Sequence, residues 1–308
     1  MFSFSHLSPL QQAILAGVVS AFWSMAAPFI PLFGIFLAPL FLVPLFLVSF
    51  SHPTEFRFLA FIASSLTILV FQGVMPAFIL VLFYFTPSLY LSSLFLKKSS
   101  SGTFSYRYGD ILSKMILGVL CAEILGLVIL NSLNIDWQAS FHHHLQKLSF
   151  LTVENKIFLD HFIPWIPGLL GISLLMTLVA NACLAQKILL SFQQSLRLPQ
   201  GIQDWSSPLY WDIIFISSLM IEIAGSVWNL SYANVVGKTI LSLSSLPLLF
   251  IGLRICYLKL SSFSSGRILF RLLVILSFLL VWPLLFVVLL GLIEPWYGLM
   301  KRFPSSNH

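Results

Sequence analysis

The sequence predicts an all-α fold: a polytopic bundle of eight or nine transmembrane helices, with one further helix lying on the membrane surface. Three observations predict it. Charged residues make up only 8% of the chain and hydrophobic residues 58%, whereas a soluble domain carries about 25% charged residues. The apolar residues gather in stretches of about 20, the length needed to cross a hydrocarbon core of about 30 Å. Nearly all the charge falls between those stretches. A soluble chain of this kind would lack the polar surface that keeps it dissolved. Lipid solvates apolar surface instead, and it obliges backbone groups to pair internally, as they do in a helix.

The first apolar stretch runs from about Gln11 to Phe29, and the second from about Phe33 to Phe50. Pro28, Pro31, Pro39 and Pro44 make this pair short and kinked, so one of the two is a candidate re-entrant segment. Residues Phe58 to Leu96 carry no charge, yet one helix of that length would be nearly twice the core thickness. Gly73 and Pro76 break it into two spans joined by a tight turn. The fifth span covers about Ile111 to Leu133. Within the polar interval 134–162, Trp137, Phe141, Leu145 and Leu148 recur at helical spacing. That pattern suits an amphipathic helix in the membrane plane, over about 136–160.

The sixth span covers about Ile163 to Ser191, the seventh about Leu209 to Val227, the eighth about Thr239 to Leu260 and the ninth Leu272 to Ile293. With no soluble stretch and no internal repeat, residues 1–308 read as a single integral membrane domain. Residues 1–12 hold no Lys or Arg, so no cleaved leader is expected.

Orientation follows from the basic residues. In the nine-span arrangement, Arg57, Lys97, Lys98, Arg107, Lys114, Lys187, Arg197, Arg254, Lys259, Arg267 and Arg271 fall on the N-terminal side. Lys147, Lys156, Lys238, Lys301 and Arg302 fall on the other. This bias places the N-terminus in the cytoplasm of a cell whose plasma membrane holds the chain. An eight-span arrangement brings the tail inside; both remain open at this stage. The net charge of +6 reflects that bias, and no basic groove interleaved with aromatics indicates nucleic acid.

Two carboxylates interrupt apolar stretches. Glu222 shares a helical face with Ser218, Gly225, Ser226 and Asn229. A charge at bilayer depth is costly, so it should face a wet cavity or a neighbouring helix. The first case makes Glu222, Ser218, Ser226 and Asn229 a solute-binding stripe; the second makes them helix glue. Glu123 is a further candidate for the solute-binding role, without such polar company. Asn181, with Ser173 and Thr177 at four-residue intervals, offers another wall for a pocket or another set of interhelical bonds. On the first span, Ala13, Gly17 and Ala21 form a small-residue stripe that lets a partner helix approach.

Other motifs fail on their chemistry. His142, His143 and His144 point in different directions on a helix and cannot converge on one ion. Gly237-Lys238-Thr239 lacks the earlier glycine and the strand of a phosphate-binding loop. Cys121, Cys183 and Cys256 lie singly in apolar stretches. No metal, cofactor or catalytic site is expected, and the bilayer is the expected partner.

Two C-terminal motifs carry a resemblance. They are Pro247-Leu248-Leu249-Phe250-Ile251-Gly252-Leu253 and Gly291-Leu292-Ile293-Glu294-Pro295-Trp296, the latter followed by Lys301-Arg302; Asn234 also fits. This third of the chain resembles the YybS-like family of bacterial membrane proteins of unknown function. That family is distantly similar to the substrate-capture subunits of energy-coupling-factor transporters. The resemblance implies a non-enzymatic membrane subunit that captures or transports a solute. It also implies docking through small-residue stripes onto a separate coupling protein with ATPases. The alternative is a scaffold or assembly factor that binds other membrane proteins.

Overall fold

A computed structural model describes residues 7–26, 38–97, 108–133, 135–146, 161–192, 210–261, 263 and 265–297. Helices account for every regular element among them, with no strand. Among the described residues six helical runs are long and apolar enough to cross a membrane: Thr54–Gln72, Val74–Leu96, Gly109–Ser132, Ile163–Ser191, Tyr210–Val227 and Ser231–Leu260. Two shorter apolar helices are Pro39–Ser51 and Trp282–Tyr297. The chain is therefore a multi-pass integral membrane protein. Where the sequence reads as one membrane domain, the packing sorts into two compact units. One comprises residues 1–106 and 173–200, the other 107–172 and 201–308.

The first unit opens with α1 (Pro9–Ala26). Its start is a capping box. The Gln11 backbone N–H donates to Ser8 Oγ at 3.3 Å, and the Ser8 N–H donates to Gln11 Oε1 at 2.9 Å; Pro9 fills the first helical position, where no N–H is needed. A 3₁₀ turn (Ala38–Leu42) leads into α2 (Val43–Ser51). Pro44 withdraws a backbone donor here. Side chains from elsewhere in the unit donate to carbonyls of this stretch, Ser20 to Phe41 and Asn181 to Pro39, each at 2.6 Å. The run Pro39–Ser51 reaches only roughly 20 Å. It is buried rather than lipid-facing, with Leu42, Leu45, Phe46 and Phe50 wholly enclosed.

α3 (Thr54–Gln72) ends at Gly73, whose φ of 90° suits glycine. The next span comprises α4 (Val74–Leu80), a π turn (Val81–Phe85) and α5 (Thr86–Leu96). The expected break at Gly73 and Pro76 is thus present. The π turn lies just before Pro87, whose ring would collide with the carbonyl four residues back in a regular helix. Thr86 Oγ1 donates to the Val81 carbonyl at 2.8 Å across the widened turn.

Pairings set the running directions. Gly17 faces Ala60 and Ser64, and Phe22 meets Phe71, so α1 and α3 run parallel. Ser20 meets Phe41 and Gln12 meets His52, so α2 returns antiparallel to α1. Phe41 meets Tyr84 and Phe50 stacks on Phe95 at 4.4 Å, so the fourth run parallels α2. On α3 the exposed stripe is Phe58, Ile62, Leu66 and Val70, while Arg57, Ala60, Ser64 and Ile68 point inward. Apolar outside and small or polar inside is the pattern lipid imposes.

The second unit contains α6 (Tyr108–Ser132), α7 (Trp137–Gln146), a 3₁₀ turn (Ile163–Trp165) and the first turns of α8 (Ile166–Ser191). Then come α9 (Tyr210–Val227), α10 (Ser231–Ser261), α11 (Gly266–Leu279) and α12 (Val281–Tyr297). Helix α10 packs on α9, α12, α6 and α11 and is the hub of the unit. It begins at Ser231, eight residues before the expected Thr239, because polar Ser231, Asn234 and Lys238 depress hydropathy without breaking a helix. Its hydroxyls are quenched locally: Thr239 and Ser242 donate to the carbonyls of Val235 and Lys238, four residues back.

The expected ninth span, Leu272 to Ile293, is not one helix. It breaks at extended Leu280. Pro283 is the cause: it has no N–H, and its ring would meet the Leu279 carbonyl if the helix continued, whereas the first turn of α12 tolerates it.

α10 and α12 cross with their backbones in contact. A Cβ on Gly252 would overlap the Val287 carbonyl oxygen, and one on Gly291 the Leu248 carbonyl oxygen. Gly252 and Gly291 lie in the two C-terminal motifs, residues 247–253 and 291–296. Gly252→Leu and Gly291→Leu should each destabilise the protein by at least about 1–3 kcal/mol, read as a lower thermal midpoint in detergent. Gly118→Ala, where a Cβ meets nothing within 4 Å, should leave the midpoint unchanged or slightly raised. A tolerated Gly252→Leu would refute this crossing.

Candidate functional site

The α9–α10 hairpin positions Glu222. Helix α9 ends in a left-handed Asn229 (φ 54°), and the Leu230 N–H donates to the Gly225 carbonyl at 2.8 Å. This is a Schellman-type stop, in which Asn is among the few non-glycine residues that adopt the required conformation readily. Asn229 therefore serves the turn. Two glycines then let the helices touch. A Cβ on Gly225 would lie 2.6 Å from the Asn234 nitrogen, and one on Gly237 would lie 2.7 Å from the Glu222 nitrogen.

Across this seam a short hydrogen-bond chain forms. Asn234 Nδ2 donates to Ser226 Oγ at 2.7 Å, and Ser226 Oγ donates to Glu222 Oε1 at 3.3 Å. Glu222 stands five residues from the end of α9, roughly 8 Å along the axis. The turn at 228–230 therefore lies close to it. Ser218 is buried, but its hydroxyl donates to the Phe215 carbonyl of its own helix at 2.7 Å.

The remaining candidates are dispersed. Glu123 is half-buried on α6. Asn181 belongs to the first unit, where its amide donates to Pro39 and Thr177 carbonyls. The stripe Ala13, Gly17 and Ala21 is buried, with Gly17 against the backbone of Ala60 and Ser64 on α3. Its partner helix belongs to the same chain. Gly237, Lys238 and Thr239 are helical; Lys238 Nζ sits 5.5 Å from the centre of the Trp165 ring. Of the surface helix, Trp137, Phe141 and Leu145 fall on α7, and Leu148 lies outside the described residues.

A different set of residues lines a half-open cavity. The cavity, of about 390 Å³, lies where the end of α6 meets the starts of α7 and α10. Leu127 and Asn131 line it from α6, Ile135, Asp136, Trp137 and Gln138 from the following turn, and Ser231, Tyr232 and Val235 from α10. Asp136 caps α7, its Oδ1 accepting from the Ala139 N–H at 2.8 Å. The cavity combines apolar walls with amide, hydroxyl and carboxylate groups, which is how a small polar molecule is held and oriented. None of Glu222, Ser218, Ser226, Asn229, Asn181 and Glu123 is among the residues that line it.

The sequence reading passed over these lining residues because they sit at helix ends, where polar residues are ordinary. It also passed over Asp212, 3% exposed on α9, and Arg57, 8% exposed on α3. Asp212 Oδ2 and Arg57 Nε are buried without a hydrogen bond. Each lies within a turn of a helix start, next to stretches that read as loop. Among the described residues no three His, Cys, Asp or Glu side chains are grouped to hold a metal ion. The chain matches no protein-family profile, no curated protein and no solved structure.

The hairpin chain has a stability consequence. Glu222→Gln keeps an acceptor for Ser226 and should leave the thermal midpoint near wild type. Glu222→Leu and Asn234→Leu should each cost about 0.6 kcal/mol. Equal effects of Gln and Leu at position 222 would show that the hydrogen bond contributes nothing.

Proposed function

We propose that this chain is a non-enzymatic, multi-pass protein of the plasma membrane that captures or transports a small solute. The observation that supports this reading is the polar-lined cavity at the α6, α7 and α10 ends. It moves the binding site away from Glu222, whose Oε1 accepts from Ser226 within its own hairpin. The resemblance to YybS-like proteins, and through them to substrate-capture subunits, points the same way. The small-residue stripe such a subunit would offer a coupling protein is covered here by α3. A coupling partner with ATPases would need another surface.

The running directions favour nine crossings over eight. Parallel α1 and α3 support a reading in which α2, despite its shortness, carries the chain back between them. The basic residues then place the N-terminus and the 97–107 loop in the cytoplasm. The cavity faces the opposite side. A reporter fused at Ser100 should be active only if it is one that works in the cytoplasm; activity of an exported reporter there would reverse the orientation.

Val235→Trp should fill the cavity. Native mass spectrometry of protein purified from its own membrane should show a small bound molecule that the variant lacks. Wild type without any such molecule, under conditions that preserve lipid adducts, would defeat the capture reading.

One observation favours the scaffold alternative. Ser226 and Asn229 are exposed beside Glu222 on the hairpin, and a polar patch facing lipid gains from a partner helix. A photo-crosslinker in place of Ser226 should then capture a specific membrane protein, and Val235→Trp should have no effect on the cellular phenotype.

A further inference from the structure

We propose that the cavity takes a small organic cation, an alkylammonium group, an assignment that rests on the capture reading and names its ligand class. Charge decides the sign. Asp136 is the one ionisable carboxylate or ammonium among the described lining residues. The start of α10 contributes about half a positive charge and the end of α6 about half a negative one, so these offset each other. The start of α7 is already neutralised by Asp136, whose Oδ1 caps it. What remains is about half a negative charge, carried by the Asp136 carboxylate.

The walls suit the same guest. Trp137 and Tyr232 line the cavity together with that carboxylate. Aromatic faces attract an ammonium ion through their quadrupoles and repel an anion. Asn131 and Ser231 add oxygen acceptors for the N–H groups of a primary amine. An inorganic cation would demand a tighter oxygen cage than a cavity of about 390 Å³ provides. The ammonium can come from a free amine or from the headgroup of an amine-bearing phospholipid.

The test uses the full-length protein in nanodiscs of phosphatidylglycerol alone, with choline, ethanolamine, inorganic phosphate and glycerol as probes in isothermal titration calorimetry. Choline and ethanolamine should bind saturably, and phosphate and glycerol should not. Asp136→Asn retains the helix cap, because Asn caps as well as Asp, and should weaken cation binding about tenfold. Trp137→Leu should weaken it about threefold. Competition by phosphatidylethanolamine added to the nanodiscs would assign the headgroup source; its absence would assign the free amine. Cation binding unchanged by Asp136→Asn would overturn the proposal. So would binding of phosphate or glycerol instead, lost in Val235→Trp, though that result would leave the capture reading intact. Silence from all four probes, together with no molecule removed by Val235→Trp in mass spectrometry, would overturn both.

Discussion

Direct contact between helix backbones organises the second unit, and glycine permits it. Helix α10 touches α9 through Gly225 and Gly237 and touches α12 through Gly252 and Gly291. In lipid, apolar side chains gain little by leaving one apolar medium for another, so helices associate through close packing and polar contacts. A carbonyl that reaches a glycine Cα gains dispersion and weak C–H···O attraction that a bulkier residue would forbid. Everything else in the unit follows from α10 being held on two sides. Its start is fixed beside the end of α6, and the cavity lies in the remaining gap.

The same logic runs through the first unit at Gly17 against α3, but there a second constraint appears. Three prolines, Pro39, Pro44 and Pro87, each remove a backbone donor. In water the orphaned carbonyls would be solvated. In a bilayer they need protein partners. Ser20 and Asn181 donate to carbonyls around the first two prolines, and a π turn with Thr86 accommodates the third. Asn181 thus looks like a pocket residue in the sequence and acts as a structural donor in the fold.

Polar groups within helical spans accordingly divide by task. Ser218, Thr239 and Ser242 return their hydroxyls to their own helices. Glu222, Ser226 and Asn234 lace two helices together. At the helix ends Asn131, Asp136, Ser231 and Tyr232 gather around the cavity.

The sequence by itself determined the membrane class, the interruption at Gly73 and the approximate extent of most spans. These are local properties: lipid rewards a run of apolar residues whatever lies elsewhere in the chain, and glycine and proline act within a turn. It misplaced the start of α10 and joined α11 to α12, because hydropathy sums are blind to single N–H groups and to polar residues that continue a helix. Tertiary structure alone decided that the Gly17 stripe is spent inside the chain, that Glu222 answers to Ser226 and Asn234, and that Asp136 shares a cavity with Tyr232, nearly a hundred residues away. Those outcomes depend on which helix faces approach, and the approach is set by non-local backbone contact that no single stretch of sequence encodes.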